Sequence, residues 1–161
     1  MKVIAAKNIG FCFGVERAIE IARKEVEDGG TVYTYGELIH NLTVIDELRA
    51  EGIIPAETLE EIPAGSHVII RSHGVAPQEI KKCREFGLYA VDATCPFVKR
   101  IHNIVEKHSD EGYSVVIFGE SRHPEVKGIQ GWAKGAAVVS DPEQARKLPH
   151  MQKCCLVSQT T

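Results

Sequence analysis

The sequence predicts an α/β protein made of small parallel-sheet α/β/α units, and three observations lead to that prediction. Short apolar runs alternate with amphipathic stretches along the chain, as in strand–helix–strand crossover units. Residues whose side chains can take part in catalysis or ligand binding recur just after the predicted strands. Finally, 161 residues with 43% hydrophobic content are enough for one ordinary domain or two small ones.

The predicted strands are apolar runs bounded by polar or glycine-containing segments. They cover 3–6, 31–35, 67–71, 88–91, 114–118, 136–139 and 154–157. The pair Ile53 and Ile54 is too short to assign.

Helices are predicted between these strands from residue spacing and from their ends. They cover 14–27, a segment after Asn41, 77–86, 97–108, a short segment after Pro124 and another opened by Asp141. The first has apolar residues on one face at helical spacing: Val15, Ala18, Ile19, Ala22 and Val26. Glycines at 29–30 and 87 end two helices, and Asn41 is a typical N-cap.

The helix that begins near Pro96 divides the chain into a first unit, 1–96, and a second, 97–161. The second unit is expected to be incomplete at its C-terminal end, because no helix follows the strand at 154–157 to cover its sheet. We therefore expect a piece of a longer protein, or a partner that covers the open side.

Bulk composition excludes several classes of function. A net charge of -3, from 19 basic and 22 acidic residues, gives no nucleic-acid footprint. No apolar run approaches the roughly 20 residues of a membrane helix, and the N-terminal run is too short for a signal peptide. Five cysteines at irregular spacing do not suggest a disulfide framework. These features predict a cytoplasmic protein with reduced thiols.

Cys95 has the most specific setting of the five cysteines. It follows the buried run at 88–91, and Pro96 after it suits the first turn of a helix. Cys95 is therefore predicted at a strand-to-helix junction, where open α/β sheets place their chemistry. A thiol there can act as a nucleophile or as a metal ligand.

Other loops that follow predicted strands also carry residues that can act in catalysis or as ligands. They contribute Cys12, His40, His73, His123, Glu125 and Thr160. Because the carboxyl ends of parallel strands share one edge, these loops can face one cleft. Each residue alone has a simpler explanation: Cys12 as a small core residue, His40 as a polar helix entry, His73 as a turn residue, and the 123–125 segment as a helix start. Their joint placement favours a site.

The remaining candidates are interpreted as structural. His102 and His108 are assigned to the solvated side of their helix, His67 to a strand and His150 to a loop. Cys83 is assigned to a structural or exposed position on its helix, and three further residues are assigned to packing: Cys154, Cys155 and Trp132.

Such a cleft favours an anionic ligand and redox chemistry. Histidines near helix N-termini can bind phosphate. Two cysteines from separate loops do not fit a structural zinc finger, but they fit ligands of an iron–sulfur cluster. Glu125 beside His123 supplies a proton donor or relay.

Six motifs in this order resemble the signatures of the 4-hydroxy-3-methylbut-2-enyl diphosphate reductase family, the iron–sulfur enzymes that end the methylerythritol phosphate route to isoprenoids. The motifs are GFCFGV at 10–15, HN at 40–41, SHGV at 72–75, DATCP at 92–96, HPEV at 123–126 and QTT at 159–161. The resemblance implies three similar α/β units around a central cluster site, of which this chain has the first and most of the second.

The resemblance also implies a reaction, in which two electrons and protons remove the allylic hydroxyl of the substrate as water and give isopentenyl and dimethylallyl diphosphates. By analogy, Cys12 and Cys95 are ligands of a [4Fe–4S] cluster. The implied diphosphate ligands are His40, His73 and His123, with Glu125 as proton donor and Thr160 near the substrate hydroxyl. Ferredoxin or flavodoxin is the implied electron donor. The family's third cysteine would lie beyond Thr161, so this chain alone is not expected to hold a stable catalytic cluster.

Two alternatives remain open from the residues themselves. The first is a non-catalytic phosphate- or anion-binding α/β module in which the thiols are incidental. The second is a thiol enzyme with Cys95 as nucleophile and His73 or His123 as base.

Overall fold

The structure is a computed structural model that describes residues 1–7, 9–27, 31–39 and 41–160. Within these ranges the chain forms two parallel β-sheets with helices packed on them, which confirms the predicted fold class. The first sheet and its helices are, in chain order, α1 (Phe13–Glu27), β1 (Val32–Tyr35), α2 (Leu42–Ala50), β2 (Ile53–Ala56), β3 (His67–Ile70), α3 (Pro77–Glu85) and β4 (Tyr89–Asp92). Its strands lie in the order β2-β1-β3-β4.

The first sheet is covered on both faces because its strands carry apolar residues on alternate sides. Val32 and Ile69 pack against α1 and α2 in one buried cluster. Val68 and Ile70 pack on the opposite side, against Cys83 of α3. This is the expected α/β/α arrangement, and it fixes the ends of β3 and β4 at one edge of the sheet.

The second sheet is smaller, and successive side chains along its strands likewise point to opposite faces. Its elements are α4 (Pro96–Asp110), β5 (Ser114–Phe118), α5 (Pro124–Gly131), β6 (Ala136–Val139), α6 (Pro142–Arg146) and β7 (Cys154–Ser158). The strands lie in the order β6-β5-β7, all parallel. Val115 and Ile117 of β5 pack in a cluster with residues of α4 and α5. On the other face Phe118 and Leu156 remain 51% and 67% exposed.

Most elements agree with the sequence prediction to within two residues at each end. The unassigned pair Ile53 and Ile54 belongs to β2, which is an edge strand of the first sheet. The predicted glycine stop at 29–30 lies outside the described residues.

The predicted first strand at 3–6 is wrong. This segment has no strand conformation, and Val3 and Ile4 are each 79% exposed. A β-strand is stabilised by hydrogen bonds to a neighbour, and among the described residues neither sheet pairs with this segment. The apolar run was correctly recognised, but its pairing is a long-range property.

The membrane prediction can be examined over the same part of the chain. Of the helices formed by residues 1–7, 9–27, 31–39 and 41–160, none has the length and apolar character needed to span a bilayer.

The two sheets are joined through α4 and α5. Helix α4 leaves the end of β4 and packs on β5, β7 and α5. The indole Nε1 of Trp132, just after α5, donates a hydrogen bond to the Val75 carbonyl of the first sheet's β3–α3 loop at 3.0 Å. The loops at the ends of β3, β4 and β5 are therefore held near one another.

The N-cap of α2 provides a test of local folding. The side chain of Asn41 accepts a hydrogen bond from the Val44 backbone N–H at 3.3 Å. We expect Asn41→Ala to lower the free energy of unfolding by about 1 kcal/mol, measured by urea denaturation. Asn41→Asp keeps an acceptor and serves as control; equal losses in the two variants would contradict a capping role.

Candidate functional site

Cys95 lies at the strand-to-helix junction that the sequence predicts. It is the N-cap residue of α4 and is followed by Pro96 in the first turn. Its backbone N–H donates to the Ser72 carbonyl at 2.9 Å, which ties the end of β4 to the loop after β3. The thiol is free and partly buried.

Cys12 has the corresponding position before α1. Its carbonyl accepts the first helical hydrogen bonds, from the backbone N–H groups of Val15 and Glu16, both at 3.0 Å. The thiol is free and exposed. Both candidate cysteines therefore precede the N-terminus of a 15-residue helix, the end of a helix that favours anions.

Gly14 allows the two helix starts to approach each other. A Cβ at this position would lie 2.7 Å from Sγ of Cys95, closer than Cβ atoms come to other atoms in folded proteins, and 3.1 Å from the Cys95 Cβ, which is tighter than most Cβ contacts. The first turn of α1 thus packs directly against the Cys95 thiol. The glycine two residues after Cys12 is therefore in contact with the second cysteine.

One cavity of about 420 Å³ collects most of the predicted residues. Its lining consists of Cys12, Phe13, Gly14, Val15, Ser72, His73, Cys95, Phe97, Val98 and Thr160. The cavity combines two thiols, one imidazole and two hydroxyls with an apolar wall. Residues that precede α4 and residues from α4 onwards both contribute to it.

The histidines of two different sheets meet beside this cavity. His73 follows β3 of the first sheet and His123 is the N-cap residue of α5 in the second. Their ring centroids are 5.4 Å apart and the rings are nearly perpendicular. The Nδ1 atom of His123 accepts a hydrogen bond from the Glu125 N–H at 3.2 Å, so in the neutral ring the proton is on Nε2.

Glu125 is fully buried and its carboxylate is held by Thr160. The Thr160 backbone N–H donates to Oε1 at 2.8 Å, and the Thr160 hydroxyl oxygen lies 3.0 Å from Oε1 and 3.1 Å from Oε2. Thr160 lines the cavity, so its hydroxyl lies between the buried carboxyl group and the open space.

His40 lies outside the described residues. Among the described residues, no group of three or more histidine, cysteine or acidic side chains is arranged to hold a metal ion. The two cysteines are thus the thiol donors that this part of the chain brings to the cavity.

The other cysteines have different surroundings. Cys83 and Cys155 are buried in the cores of the first and second sheets, and burial raises the pKa of both thiols. A neutral buried thiol is a packing residue, as predicted. Cys154 points the other way and is exposed, so the packing interpretation was wrong for it.

The sequence prediction was also wrong for His102. Its ring is 3% exposed and stacks on Trp132, with centroids 5.2 Å apart and planes 19° apart. Burial lowers the pKa of His102 to about 4. The signal was available in the spacing, because Val98 and Val105 lie four residues before and three after it, on the buried face of α4.

Two further residues of the site have contacts that the sequence did not indicate. Ser72 lines the cavity and its carbonyl holds Cys95. The Gln159 side chain accepts a hydrogen bond from the Glu120 N–H at 2.7 Å, which fastens the loop after β5 to the end of β7. Both residues stand within the recognised motifs, but only the folded chain shows these partners.

The hydroxyl of Thr160 provides a first prediction. Thr160→Val removes the donor to Glu125 while keeping the shape of the side chain, so we expect the free energy of unfolding to fall by about 1 kcal/mol at pH 7. Thr160→Ser keeps the hydroxyl and should lose less. Urea denaturation distinguishes the two, and identical curves for Thr160→Val and the parent chain would exclude a stabilising bond.

The buried His102 provides a second prediction, for pH. Its pKa is about 4 in the folded chain against an ordinary value of 6.5. Above pH 6.5 the ring is neutral in both states, so its burial adds no pH-dependent cost. As the pH falls from 6.5 towards 4 the unfolded chain takes up a proton that the folded chain does not, so the free energy of unfolding falls. Glu125 and Asp92 favour the charged ring and Lys99 opposes it, yet burial dominates. We expect His102→Leu to flatten the dependence of unfolding free energy on pH between 6.5 and 4.

The control for this prediction is His108→Leu on the same helix. His108 is half-buried, and its Nδ1 donates to the Ile104 carbonyl at 2.8 Å. Urea denaturation at a series of pH values should give a slope close to that of the parent chain for this control. Parallel curves for His102→Leu and the parent chain would contradict the prediction.

Comparison with known proteins identifies similar sequences and structures. Residues 3–161 match the family model described as LytB protein. A 4-hydroxy-3-methylbut-2-enyl diphosphate reductase of Thermoanaerobacter sp. (strain X514) is 46% identical over 100% of this chain and 58% of its own length. The protein of the same name from Geobacter sp. (strain M21) is 45% identical over 100% of this chain and 57% of its own length.

Two solved structures are similar as well. One is an (E)-4-hydroxy-3-methyl-but-2-enyl diphosphate reductase described as the terminal enzyme of the non-mevalonate pathway; it has a TM-score of 0.83 and 39% identity, over 99% of this chain and 58% of its own. The other, an E-1-hydroxy-2-methyl-but-2-enyl-4-diphosphate reductase from Plasmodium falciparum, has a TM-score of 0.91 and 32% identity, over 96% and 50%. The chain spans between 50% and 58% of the length of these relatives. With its fold, its motifs and the match over residues 3–161 in agreement, the chain belongs to the LytB protein family.

Proposed function

We propose that this chain supplies part of the catalytic site for the reductive dehydroxylation of 4-hydroxy-3-methylbut-2-enyl diphosphate. In this reaction the substrate takes up two electrons and two protons, its allylic C–O bond breaks, and isopentenyl or dimethylallyl diphosphate and water are formed. The observation that carries the proposal is the single cavity lined by Cys12, Cys95, His73 and Thr160. Family membership supports it.

The donor chemistry of the cavity fits an iron–sulfur cluster in part. Cys12 and Cys95 are free thiols from separate loops, each before a helix N-terminus, and Gly14 leaves room for the Cys95 sulfur. We propose that these two residues hold a [4Fe–4S] cluster together with a third cysteine from outside this chain. Such a cluster supplies electrons and a Lewis-acidic iron for the leaving oxygen.

The histidines are proposed to bind the diphosphate group. Nδ1 of His123 accepts a hydrogen bond from the Glu125 N–H, so the neutral ring carries its proton on Nε2. Nε2 can therefore donate a hydrogen bond to a phosphate oxygen. His73 lines the cavity and faces His123 at 5.4 Å between ring centroids. His40 is proposed as a third ligand on the strength of its motif. Binding the charged end of the substrate fixes the position of its allylic alcohol.

Glu125 is proposed as the proton donor, acting through Thr160. Oε1 accepts the Thr160 backbone N–H at 2.8 Å, so a protonated Glu125 would carry its proton on Oε2, which is 3.1 Å from the Thr160 hydroxyl. That proton passes to Oγ1 of Thr160 as the Thr160 hydroxyl proton passes to the leaving oxygen. Full burial of Glu125 keeps bulk water from the donor.

The setting of the reaction is part of the same proposal. We assign 1–96 and 97–161 to two successive units, with a third unit needed to complete the cluster site. Ferredoxin or flavodoxin is proposed as the electron donor, in the cytoplasm, where thiols stay reduced.

Anaerobic reconstitution with iron and sulfide tests the proposal. It would be applied to the 161-residue chain and to a form extended at its C-terminus to the length of the relatives. We expect the extended form to show iron–sulfur absorption and, after reduction, an EPR signal, and the shorter chain to retain little of either. Cys12→Ser or Cys95→Ser should abolish the stable cluster, because each removes a thiolate ligand.

Cys154→Ser is the matched control, since Cys154 is an exposed thiol outside the cavity. Retention of the cluster in both Cys12→Ser and Cys95→Ser would contradict the ligand assignment. An extended form that binds inorganic diphosphate but never takes up iron would favour the anion-binding alternative. A substrate-like electrophile that forms an adduct with Cys95 alone would favour the thiol enzyme.

A further inference from the structure

The imidazole of His102 lies in a closed space between the two sheets. Its ring is 3% exposed and stacks on Trp132, with 5.2 Å between centroids and 19° between planes. Helix α4 contributes His102, and Trp132 directly follows α5. The ring pair thus joins the two helices that pack on the second sheet.

The Cε1 atom of the His102 ring also meets the loop after β3, at Gly74. A Cβ at Gly74 would lie 2.5 Å from Cε1 of His102 and 3.0 Å from Cγ2 of Thr94. Gly74 also has φ +68°, a conformation that glycine adopts readily. The space for the ring therefore depends on the absence of a side chain at position 74.

The same ring pair contacts the next residue of the loop. The Trp132 indole N–H donates to the Val75 carbonyl at 3.0 Å. Two consecutive residues of the loop, Gly74 and Val75, are thus held by His102 and Trp132. The residue immediately before them is His73, whose ring faces His123.

His102 acts through the contacts of its ring and not through a hydrogen bond of Nε2. Its Nε2 atom is buried and has no hydrogen-bond partner among the described residues. A buried nitrogen without a partner lowers stability relative to an aliphatic side chain of similar volume. A hydrogen bond through Nε2 therefore does not account for a histidine here, whereas its ring contacts both the Trp132 indole and the backbone at Gly74.

We propose that His102 is a positioning residue for the anion-binding pair His73 and His123. Stacked on Trp132, it holds the backbone at 74–75 against the second sheet, and so fixes the His73 ring at its distance from His123. The inference rests on the proposed function in one respect, that this pair binds the diphosphate group. The contacts of His102 with Gly74 and of Trp132 with Val75, hereafter the clamp, do not involve substrate and can be tested in its absence.

The test compares three variants with a matched control. His102→Ala removes the ring, Gly74→Ala places a methyl group in the space of the ring, and the double variant combines them. His102→Leu replaces His102→Ala if the latter does not fold. The control is His108→Ala, which removes a histidine of the same helix whose ring contacts Tyr113 at 5.0 Å.

Two readouts report the clamp in the absence of a ligand. Trp132 is the single tryptophan of the chain, so its indole N–H gives one NMR signal whose hydrogen exchange reports the bond to Val75. Nuclear Overhauser effects between the His73 and His123 rings report their separation. We expect His102→Ala to speed indole exchange roughly tenfold and to abolish the ring–ring effect, while His108→Ala changes neither.

Binding of inorganic diphosphate, measured by calorimetry on the same proteins, reports the consequence. We expect roughly tenfold weaker binding in His102→Ala and wild-type binding in His108→Ala. We also expect Gly74→Ala to be less damaging when the ring is absent, so that the two changes are not additive. Strict additivity in all readouts would show that the ring and Gly74 do not act together.

The outcomes separate the clamp from the proposed function. Unchanged indole exchange and an intact ring–ring effect in folded His102→Ala or His102→Leu overturn the positioning role. So does a change in those two readouts with no change in diphosphate affinity. If the parent chain fails to bind diphosphate, the proposed ligand role of His73 and His123 is overturned, and the NMR readouts still decide whether His102 positions the loop.

Discussion

The close packing around the backbone at 72–75 is the constraint on which the rest of the structure depends. The Ser72 carbonyl holds the Cys95 N–H, Gly74 lies against His102, and the Val75 carbonyl accepts the Trp132 indole. These contacts join β3, β4, α4 and the end of α5 within four residues. A loop held at so many points has few conformations left, so the entropy of ordering it is lost during folding and need not be lost again when a ligand binds.

The candidate site is shared between two sheets, and this explains its composition. Among the residues that the structure describes, each sheet contributes one imidazole, and each of the helices α1 and α4 directly follows a cysteine. Within those residues no single strand–helix unit has this set of groups. The proposed diphosphate and cluster ligands therefore reach their positions only when the two sheets are packed together. The contacts between the sheets are thus as important to the proposed chemistry as the side chains that would touch the substrate.

The sequence was informative where the cause of a structure is local. The N-cap at Asn41, the proline after Cys95 and the alternation of strands with helices all depend on neighbouring residues, and the structure follows them. It was misleading where the cause is distant. The run at 3–6 has the composition of a strand but no partner among the described residues, and His102 was judged by its polarity although its spacing placed it on the buried face. Which buried face would meet Gly74 is decided by tertiary packing alone.

The placement of Thr160 has a consequence for how mutations would act. Ser158 is the last residue of β7 and pairs with Phe118 of β5, and Gln159 donates its N–H to the Phe118 carbonyl. Successive side chains near a strand end point to opposite sides. A slip of β7 by one position would therefore exchange the amide of Gln159 and the hydroxyl of Thr160, and remove the hydroxyl from Glu125 without altering either residue. An insertion within β7 can thus be expected to disturb the candidate site, because strand alignment decides which side chain reaches Glu125.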